Sequence, residues 1–98
     1  MNIEKNKPVF SIEKAVMAVA DPYRMSILNE MLLKGSIRCC DMVGLTGLSQ
    51  PTCSHHIKLL ADSLLIECRK EERNNFFTLN RKNFSLIAQY FKQFSANS

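Results

Sequence analysis

The chain has 98 residues, enough for one small domain, and its 46% hydrophobic and 22% charged residues form an ordinary globular composition. A domain this small buries only about two thirds of its chain surface, so burial of further surface in a dimer would help it. The net charge of +4 favours an acidic partner such as nucleic acid, and no apolar run is long enough to span a membrane.

The four cysteines raise the question of a disulfide framework. Residues 1–7 are polar and contain no secretory signal, which argues against export to an oxidising compartment. We therefore expect reduced thiols and a cytoplasmic protein without a membrane partner.

The first part of the chain predicts a flexible N-terminal arm and then two helices. The arm covers 1–10, and one domain covers 11–95. Ser11 can cap a first helix through Ala20, and Asp21-Pro22 restarts a second helix that runs to about Leu33. Apolar residues recur at helical spacing in both helices and are predicted to form the core: Ile12, Ala15, Val16, Val19, Met25, Ile27, Leu28, Met31 and Leu32.

A short helix, a tight turn and a longer helix follow. Ile37 to Thr46 is predicted as the short helix, Gly47 ends it, and residues 49–63 form the longer one, in which Ser49 is the cap and Pro51 fits the first turn. This order is typical of a helix-turn-helix, whose second helix enters a groove of DNA.

The predicted recognition helix has one apolar stripe and otherwise short or hydrogen-bonding side chains. Leu48, Cys53, Ile57 and Leu60 recur at helical spacing and are expected to be buried. Within residues 48–60 the other faces carry one cation and no acid, which suits the major groove: Gln50, Thr52, Ser54, His55 and Lys58.

The rest of the chain predicts a hairpin and a last helix. An apolar run leaves the recognition helix and enters a strand that extends from 64 to 70, residues 71–74 turn, and Asn75–Leu79 return as the partner strand. Asn80 can cap a last helix that runs from Arg81 to about Ser95. Its apolar stripe and that of the first helix favour a helical dimer interface. The hairpin supplies three candidate phosphate contacts: Arg69, Lys70 and Arg73.

Several separate motifs in this order resemble the ArsR/SmtB family of bacterial winged-helix repressors. They are Asp21-Pro22-Tyr23-Arg24, Leu48-Ser49-Gln50, Ser54-His55-His56-Ile57, Arg69-Lys70-Glu71 and Phe77-Thr78-Leu79. The resemblance implies a mainly α fold with a β-hairpin wing, in the order α-α-α-α-β-β-α. It also implies a two-fold dimer through the first and last helices, which sets two recognition helices about one DNA turn apart.

Two positions depart from the family pattern. Glu72 stands near the wing tip where the family usually has glycine, and Leu64 stands where a glycine commonly follows the recognition helix. We therefore expect the tip to adopt a turn of another shape. The adjacent acids Glu71 and Glu72 would also repel phosphates.

The metal sites that the resemblance implies are incomplete in this sequence. Residues 81–98 contain no His, Cys, Asp or Glu, so the site of the last helix is not predicted. At the other site Cys40 matches one thiol position of the arsenic-sensing pattern, whereas Arg38 replaces another and Cys39 falls on an apolar core position. Soft metals need two or more converging thiolates. We predict no metal and no cofactor, and keep arsenite sensing as an alternative.

Control by cysteine oxidation is a separate hypothesis. Cys40 would lie at a helix N-terminus beside Arg38, where the helix dipole and a cation favour the reactive thiolate, although Asp41 opposes a second negative charge. Cys39 is the second candidate of the pair. Cys53 lies on the apolar stripe and is interpreted as a buried thiol.

The two histidines and Cys68 offer less chemistry. His56 matches the family's histidine, which implies structural or phosphate hydrogen bonds, and His55 replaces a common arginine. Cys53 and His56 lie three apart, yet no orienting acid or oxyanion turn accompanies them, so no enzyme is predicted. Cys68 favours neither a buried nor a reactive role.

The sequence thus predicts a homodimeric repressor that binds double-stranded DNA at an imperfect palindromic operator. The alternative is a winged-helix protein-interaction module without specific DNA binding. The predicted DNA contacts are Ser49, Gln50, Thr52, Ser54, His55, His56, Lys58, Arg69, Lys70 and Arg73.

Overall fold

A computed structural model describes residues 8–95 as five helices and one antiparallel hairpin, which confirms the predicted fold class. Of the predicted arm 1–10, residues 1–7 lie outside the described residues, and Phe10 is half-buried against the core. The elements are α1 (Ile12–Val19), α2 (Pro22–Lys34), α3 (Cys39–Thr46), α4 (Gln50–Asp62), β1 (Ile66–Glu71), β2 (Asn74–Leu79) and α5 (Arg81–Ser95).

Side-chain caps begin four of the helices at the residues that the sequence indicates, and for α5 the cap is Asn80, whose side-chain oxygen accepts the Asn83 N–H at 3.0 Å. The Ser11 hydroxyl accepts from the Lys14 N–H, and the Asp21 carboxylate accepts from two N–H groups of the first turn of α2. Ser49 accepts from the N–H of Thr52 at the start of α4. These caps satisfy N–H groups that have no partner inside the helix and so fix where each helix begins.

The helix-turn-helix of α3 and α4 is joined by a glycine turn. Gly47 has φ +76° and its N–H donates to the Val43 carbonyl, 3.0 Å away, which ends α3. This helix starts at Cys39, two residues later than predicted. The reason is that Ile37 forms an antiparallel bridge with Phe77, so the chain is still extended there and lies against the hairpin.

The recognition helix α4 ends in a left-handed turn at Leu64, which has φ +65°. The Leu64 N–H donates to the Ala61 carbonyl and the Leu65 N–H donates to the Leu60 carbonyl, the paired bonds of a Schellman motif. Glycine is the usual residue at this left-handed position. Leu64 therefore belongs to the turn, and β1 begins at Ile66 rather than at the predicted start.

The hairpin is the predicted wing, and its strands extend closer to the tip than predicted. The pairing runs from Ile66 opposite Leu79 to Glu71 opposite Asn74, which leaves a two-residue turn in place of the predicted four. Glu72, the first turn residue, has φ +56°. This positive φ favours glycine, the residue type that two-residue hairpin turns often take at this position.

The core lies between α1, α2, α4 and the base of the wing. The predicted stripe of α4 is confirmed, because Cys53, Ile57 and Leu60 are buried. Met25 and Leu32 of α2, which we expected in the core, are 47% and 60% exposed because they lie along an open apolar groove between α2 and α5. The buried apolar residues are Ala15, Ala18, Ile27, Leu28, Met31, Ile37, Met42, Cys53, Ile57, Leu60, Leu65 and Ile66.

The last helix joins the protomer core only through its first half. Asn83 is buried, and its side-chain amide donates to the Leu64 carbonyl at 2.7 Å, which ties α5 to the end of the recognition helix. Three aromatic rings in its second half are exposed and lie 5.4–6.1 Å apart. We call Tyr90, Phe91 and Phe94 the aromatic patch. Among residues 8–95, no helix combines the length and hydrophobicity needed to cross a membrane.

Candidate nucleic-acid interface

The recognition helix exposes the polar side chains that the sequence singled out. Its buried stripe packs below them, so they face solvent on one side of the domain. Two of them also act locally, since the Ser49 hydroxyl caps the helix and donates to the Thr52 hydroxyl at 2.9 Å. The exposed residues of this face are Ser49, Gln50, Thr52, Ser54, His55 and Lys58.

An open cavity of about 490 Å³ lies between the start of α3, the recognition helix and the wing. We call it the interface cavity. It brings together residues from three elements that are far apart in the sequence, because the bridge between Ile37 and Phe77 holds the start of α3 beside the wing. Its polar lining is Arg38, Cys39, Cys40, Gln50, Ser54, Lys58, Arg73, Asn74 and Asn75.

Three cations line the interface cavity. Lys58 Nζ lies 3.0 Å from Asp62 Oδ2, and Arg38 Nη2 lies 3.3 Å from Asp41 Oδ1. Arg73 forms no ion pair within residues 8–95. Exposed ion pairs of this kind contribute little stabilising free energy. The cations can therefore leave their carboxylate partners and bind an anion that enters the cavity.

The other two predicted cations of the wing lie outside the cavity lining. Arg69 Nε is 2.8 Å from Glu71 Oε2, and the guanidinium lies 5.6 Å from the centre of the Phe76 ring. Lys70 is exposed and forms no ion pair with any residue from 8 to 95. The structure therefore groups Arg73 with the recognition helix and leaves Arg69 and Lys70 on the strand.

Sequence reasoning missed three residues of the cavity. Arg38 was considered as the residue that replaces a thiol and as the cation beside Cys40, but not as a DNA contact, and Asn74 and Asn75 were assigned to the turn and strand. Guanidinium and amide groups are common partners of phosphate oxygens and base edges. The available signal was the position of Arg38 just before a helix of the helix-turn-helix.

The cysteine pair lies at the floor and rim of the cavity. Cys39 is half-buried between α3 and α4, with Sγ 3.4 Å from Ser54 Oγ and 3.7 Å from Gln50 Nε2. Cys40 is exposed. Cys53 is buried beside the Thr46 hydroxyl and Cys68 is exposed on β1. Within residues 8–95 no three His, Cys, Asp or Glu side chains form a group that could hold a metal ion.

The negative charge nearest to these thiols is Asp41. Its Oδ2 accepts the backbone N–H of Arg38 at 2.9 Å, and this bond, with the Arg38 guanidinium, lowers the pKa of the Asp41 carboxyl below its usual value. Asp41 therefore stays ionised at neutral pH, where it caps α3 and holds Arg38.

The two adjacent histidines point in different directions. His55 is exposed on the recognition face. The His56 side chain is only 13% exposed, and its Nδ1 lies 2.9 Å from Arg24 Nη1 at the start of α2. Of the predicted DNA contacts, His56 is thus the one that faces the interior.

The chain is similar to known transcriptional regulators. It is 37% identical over 71 residues to the arsenical resistance operon repressor of Staphylococcus xylosus, which covers 72% of this chain and 67% of that protein. No protein-family model matches the chain.

Solved structures share the fold. An ArsR-like transcriptional regulator from Rhodococcus sp. RHA1 superposes with a TM-score of 0.75 at 19% identity and covers 87% of this chain and 79% of its own. A homodimeric winged helix-turn-helix DNA-binding domain from Mycobacterium bovis has a TM-score of 0.67 at 21% identity, with 88% and 80% coverage. At these identities the likeness establishes the fold alone.

Proposed function

This chain belongs to the ArsR/SmtB family of winged helix-turn-helix regulators, and from that premise we propose that it is a repressor of transcription that binds an operator with imperfect two-fold symmetry. The observation that carries the proposal is the interface cavity, where Arg38, Lys58 and Arg73 surround the polar face of the recognition helix. A groove with several cations and hydrogen-bonding side chains matches the phosphates and base edges of duplex DNA.

In this proposal the recognition helix enters the major groove and the wing follows the backbone. Gln50 can pair with the two hydrogen-bonding atoms of an adenine edge, and His55 offers a second contact with a base. Ser49, Thr52, Ser54, Lys58, Arg69, Lys70 and Arg73 remain predicted contacts with phosphates or bases. Arg38 is added here from its place in the cavity.

We also propose that the functional unit is a homodimer formed through α1 and α5. The exposed aromatic patch supports this, because isolated protomers would leave three aromatic rings and Met17 of α1 in water. Burying one such side chain contributes about 1.5 to 3 kcal/mol. A two-fold dimer presents two recognition helices, which suits two half-sites.

Thiol control of the same site is part of the proposal. The Cys40 thiolate attacks one oxygen of a peroxide, so that an S–O bond forms as the O–O bond breaks and hydroxide leaves. The product is a sulfenic acid, which becomes a sulfenate when it gives its proton to the hydroxide. It lies in the lining of the interface cavity, beside Arg38, where it competes with DNA for space and for a cation. No catalytic role is proposed, and reduced thiols suit a cytoplasmic site of action.

The test measures fluorescence anisotropy of a labelled duplex that covers the DNA upstream of the gene, at two salt concentrations, with reduced and then peroxide-treated protein. We expect tight binding. For each phosphate that the protein neutralises, the binding constant should fall by about 0.9 logarithmic units for every tenfold rise in salt concentration. Oxidation should weaken it in the parent and in Cys68→Ser, which is the matched exposed thiol, but not in Cys40→Ser.

The outcomes separate the alternatives. No binding in either state would favour the protein-interaction module. Binding that peroxide leaves unchanged would remove the thiol switch and leave the repressor in place. Release by arsenite but not by peroxide would favour arsenite sensing, for which Cys39 and Cys40 would be the thiols.

A further inference from the structure

A hydrogen-bonded group of side chains ties the recognition helix to the corner between α1 and α2. The Arg24 guanidinium is its centre: Nε donates to the Ala18 carbonyl of α1, and Nη1 lies 2.9 Å from Nδ1 of His56 on α4. The carboxylate of Asp21, which caps α2, accepts the Arg24 backbone N–H at 3.0 Å. Three elements therefore meet at one arginine and one histidine.

The contact with Arg24 fixes the form of His56. A guanidinium can only donate, so Nδ1 must present its lone pair and the ring must be neutral with its proton on Nε2. Asp21 Oδ2 lies 3.9 Å from the same nitrogen and attracts the ring only when it is protonated. Protonation of His56 therefore breaks the hydrogen bond with Arg24 and favours an ion pair with Asp21.

The charged and titratable neighbours of His56 are few. At the start of α2 they are the cap Asp21, Arg24 and Tyr23, whose ring lies 5.8 Å away, and on its own helix His55 lies at 6.3 Å. The bond from the Arg24 N–H lowers the pKa of Asp21, which therefore stays ionised above pH 5. Neither α3 nor β1 hydrogen-bonds or ion-pairs with His56 in the described part of the chain.

We propose that neutral His56 is a positioning residue for DNA binding, and that its protonation, which breaks the bond with Arg24, displaces the recognition helix and weakens the complex. The inference rests on the proposed function. Because α1 belongs to the proposed dimer interface, this link is one of the contacts that orient each recognition helix relative to its partner. Histidine is the side chain whose charge can change between pH 5 and 8, so this is the range in which the proposal is tested.

The first test needs no DNA. Two-dimensional NMR of the imidazole nitrogens of ¹⁵N-labelled protein reports the tautomer of each histidine, and His56→Asn assigns the signals. At pH 7.5 we expect His56 to carry its proton on Nε2. A proton on Nδ1 would overturn the proposal, because Arg24 could not donate to that nitrogen.

The second test measures affinity for the labelled duplex from pH 7.5 to 5.5 at one salt concentration. It uses His55→Gln as the background, because protonation of exposed His55 would itself strengthen phosphate binding. In that background we expect affinity to fall about fivefold or more as the pH falls. Adding His56→Asn, whose amide oxygen can replace Nδ1 as the acceptor, should preserve affinity at pH 7.5 and abolish the pH dependence.

The variants distinguish positioning from simple loss of structure. His56→Ala removes the acceptor and should bind about fivefold more weakly at every pH, with urea unfolding used to confirm that it is folded at the assay concentration. A pH dependence that persists in His56→Asn would contradict the proposal. A parent protein that fails to bind DNA at pH 7.5 would overturn the proposed function instead. In that case the NMR experiment alone would test the hydrogen bond between Arg24 and His56.

Discussion

Leu64 and Glu72 each hold a left-handed backbone that costs a non-glycine residue about 1–2 kcal/mol. At Leu64 the cost accompanies a half-buried side chain and the bonds that end the recognition helix. At Glu72 the side chain is exposed at the wing tip, so nothing in its packing offsets the strain. Substitution by glycine is therefore expected to affect stability differently at the two positions.

We predict that Glu72→Gly stabilises the protein by about 0.5–1 kcal/mol, because relief of the strained φ exceeds the entropy that glycine adds to the unfolded chain. Urea unfolding at one protomer concentration measures the change. Arg73→Gly is the matched control in the same turn and should be destabilising, since Arg73 has no positive φ to relieve. Equal effects of the two variants would contradict this explanation.

Asp41 predicts a pH-dependent contribution to stability. Its pKa is lowered in the folded protein by the Arg38 N–H and guanidinium, so its stabilisation is complete above the ordinary carboxyl pKa and is lost as the pH falls through the folded value. Asp41→Asn should cost about 0.5 kcal/mol at pH 7, a small value because the pair is solvent-exposed. As the pH falls below the ordinary carboxyl pKa, the difference in urea midpoint between parent and variant should shrink, and a difference of constant size would contradict the assignment.

At the scale of the element, the sequence was most informative where structure is local. Helix starts at Ser11, Asp21 and Ser49 could be predicted because a cap and its N–H partners lie within three residues. The interface cavity could not, because Arg38 and Arg73 meet only after the bridge to the wing forms. Periodicity also cannot tell which apolar face of α2 points inward, which is why the exposed groove was taken for core.

The recognition helix carries an acid–base pair that affects its use. Lys58 is held by Asp62 one turn later, at 3.0 Å. We predict that Lys58→Ala weakens binding to all duplexes and lowers the salt slope by about one. Asp62→Asn should raise affinity about threefold, because it frees the lysine and removes a charge that repels phosphate.

The control for that pair is Glu30→Gln. It breaks an equivalent contact between Glu30 and Lys34, at 2.7 Å, in a different helix that does not line the cavity. Anisotropy titrations should show no change for Glu30→Gln. A similar gain from both carboxamide variants would indicate a general effect of net charge rather than release of Lys58.

At the scale of the whole molecule, the exposed aromatic patch predicts how the protomers associate. Phe91 is 46% exposed and Phe94 70% exposed in the single chain. Phe91→Glu should convert the dimer to a monomer, because a carboxylate would have to be desolvated in an apolar interface. Sedimentation equilibrium measures the change, and operator affinity should fall by more than about tenfold as the second half-site is lost.

Ser26→Glu adds the same charge at an exposed position of α2 that lies in neither the aromatic patch nor the cavity lining. It should remain dimeric. If Phe91→Glu also remained dimeric, the patch would be excluded as the centre of the interface.

The aromatic patch has a further consequence for gene control. Two protomers must associate before both half-sites of an operator can be filled, so at concentrations where single chains predominate the number of complete binding units grows with the square of the chain concentration. A twofold rise in synthesis then gives about a fourfold rise in those units, by mass action. An exposed set of rings on one helix thereby turns a gradual change in protein level into a steeper change in promoter occupancy.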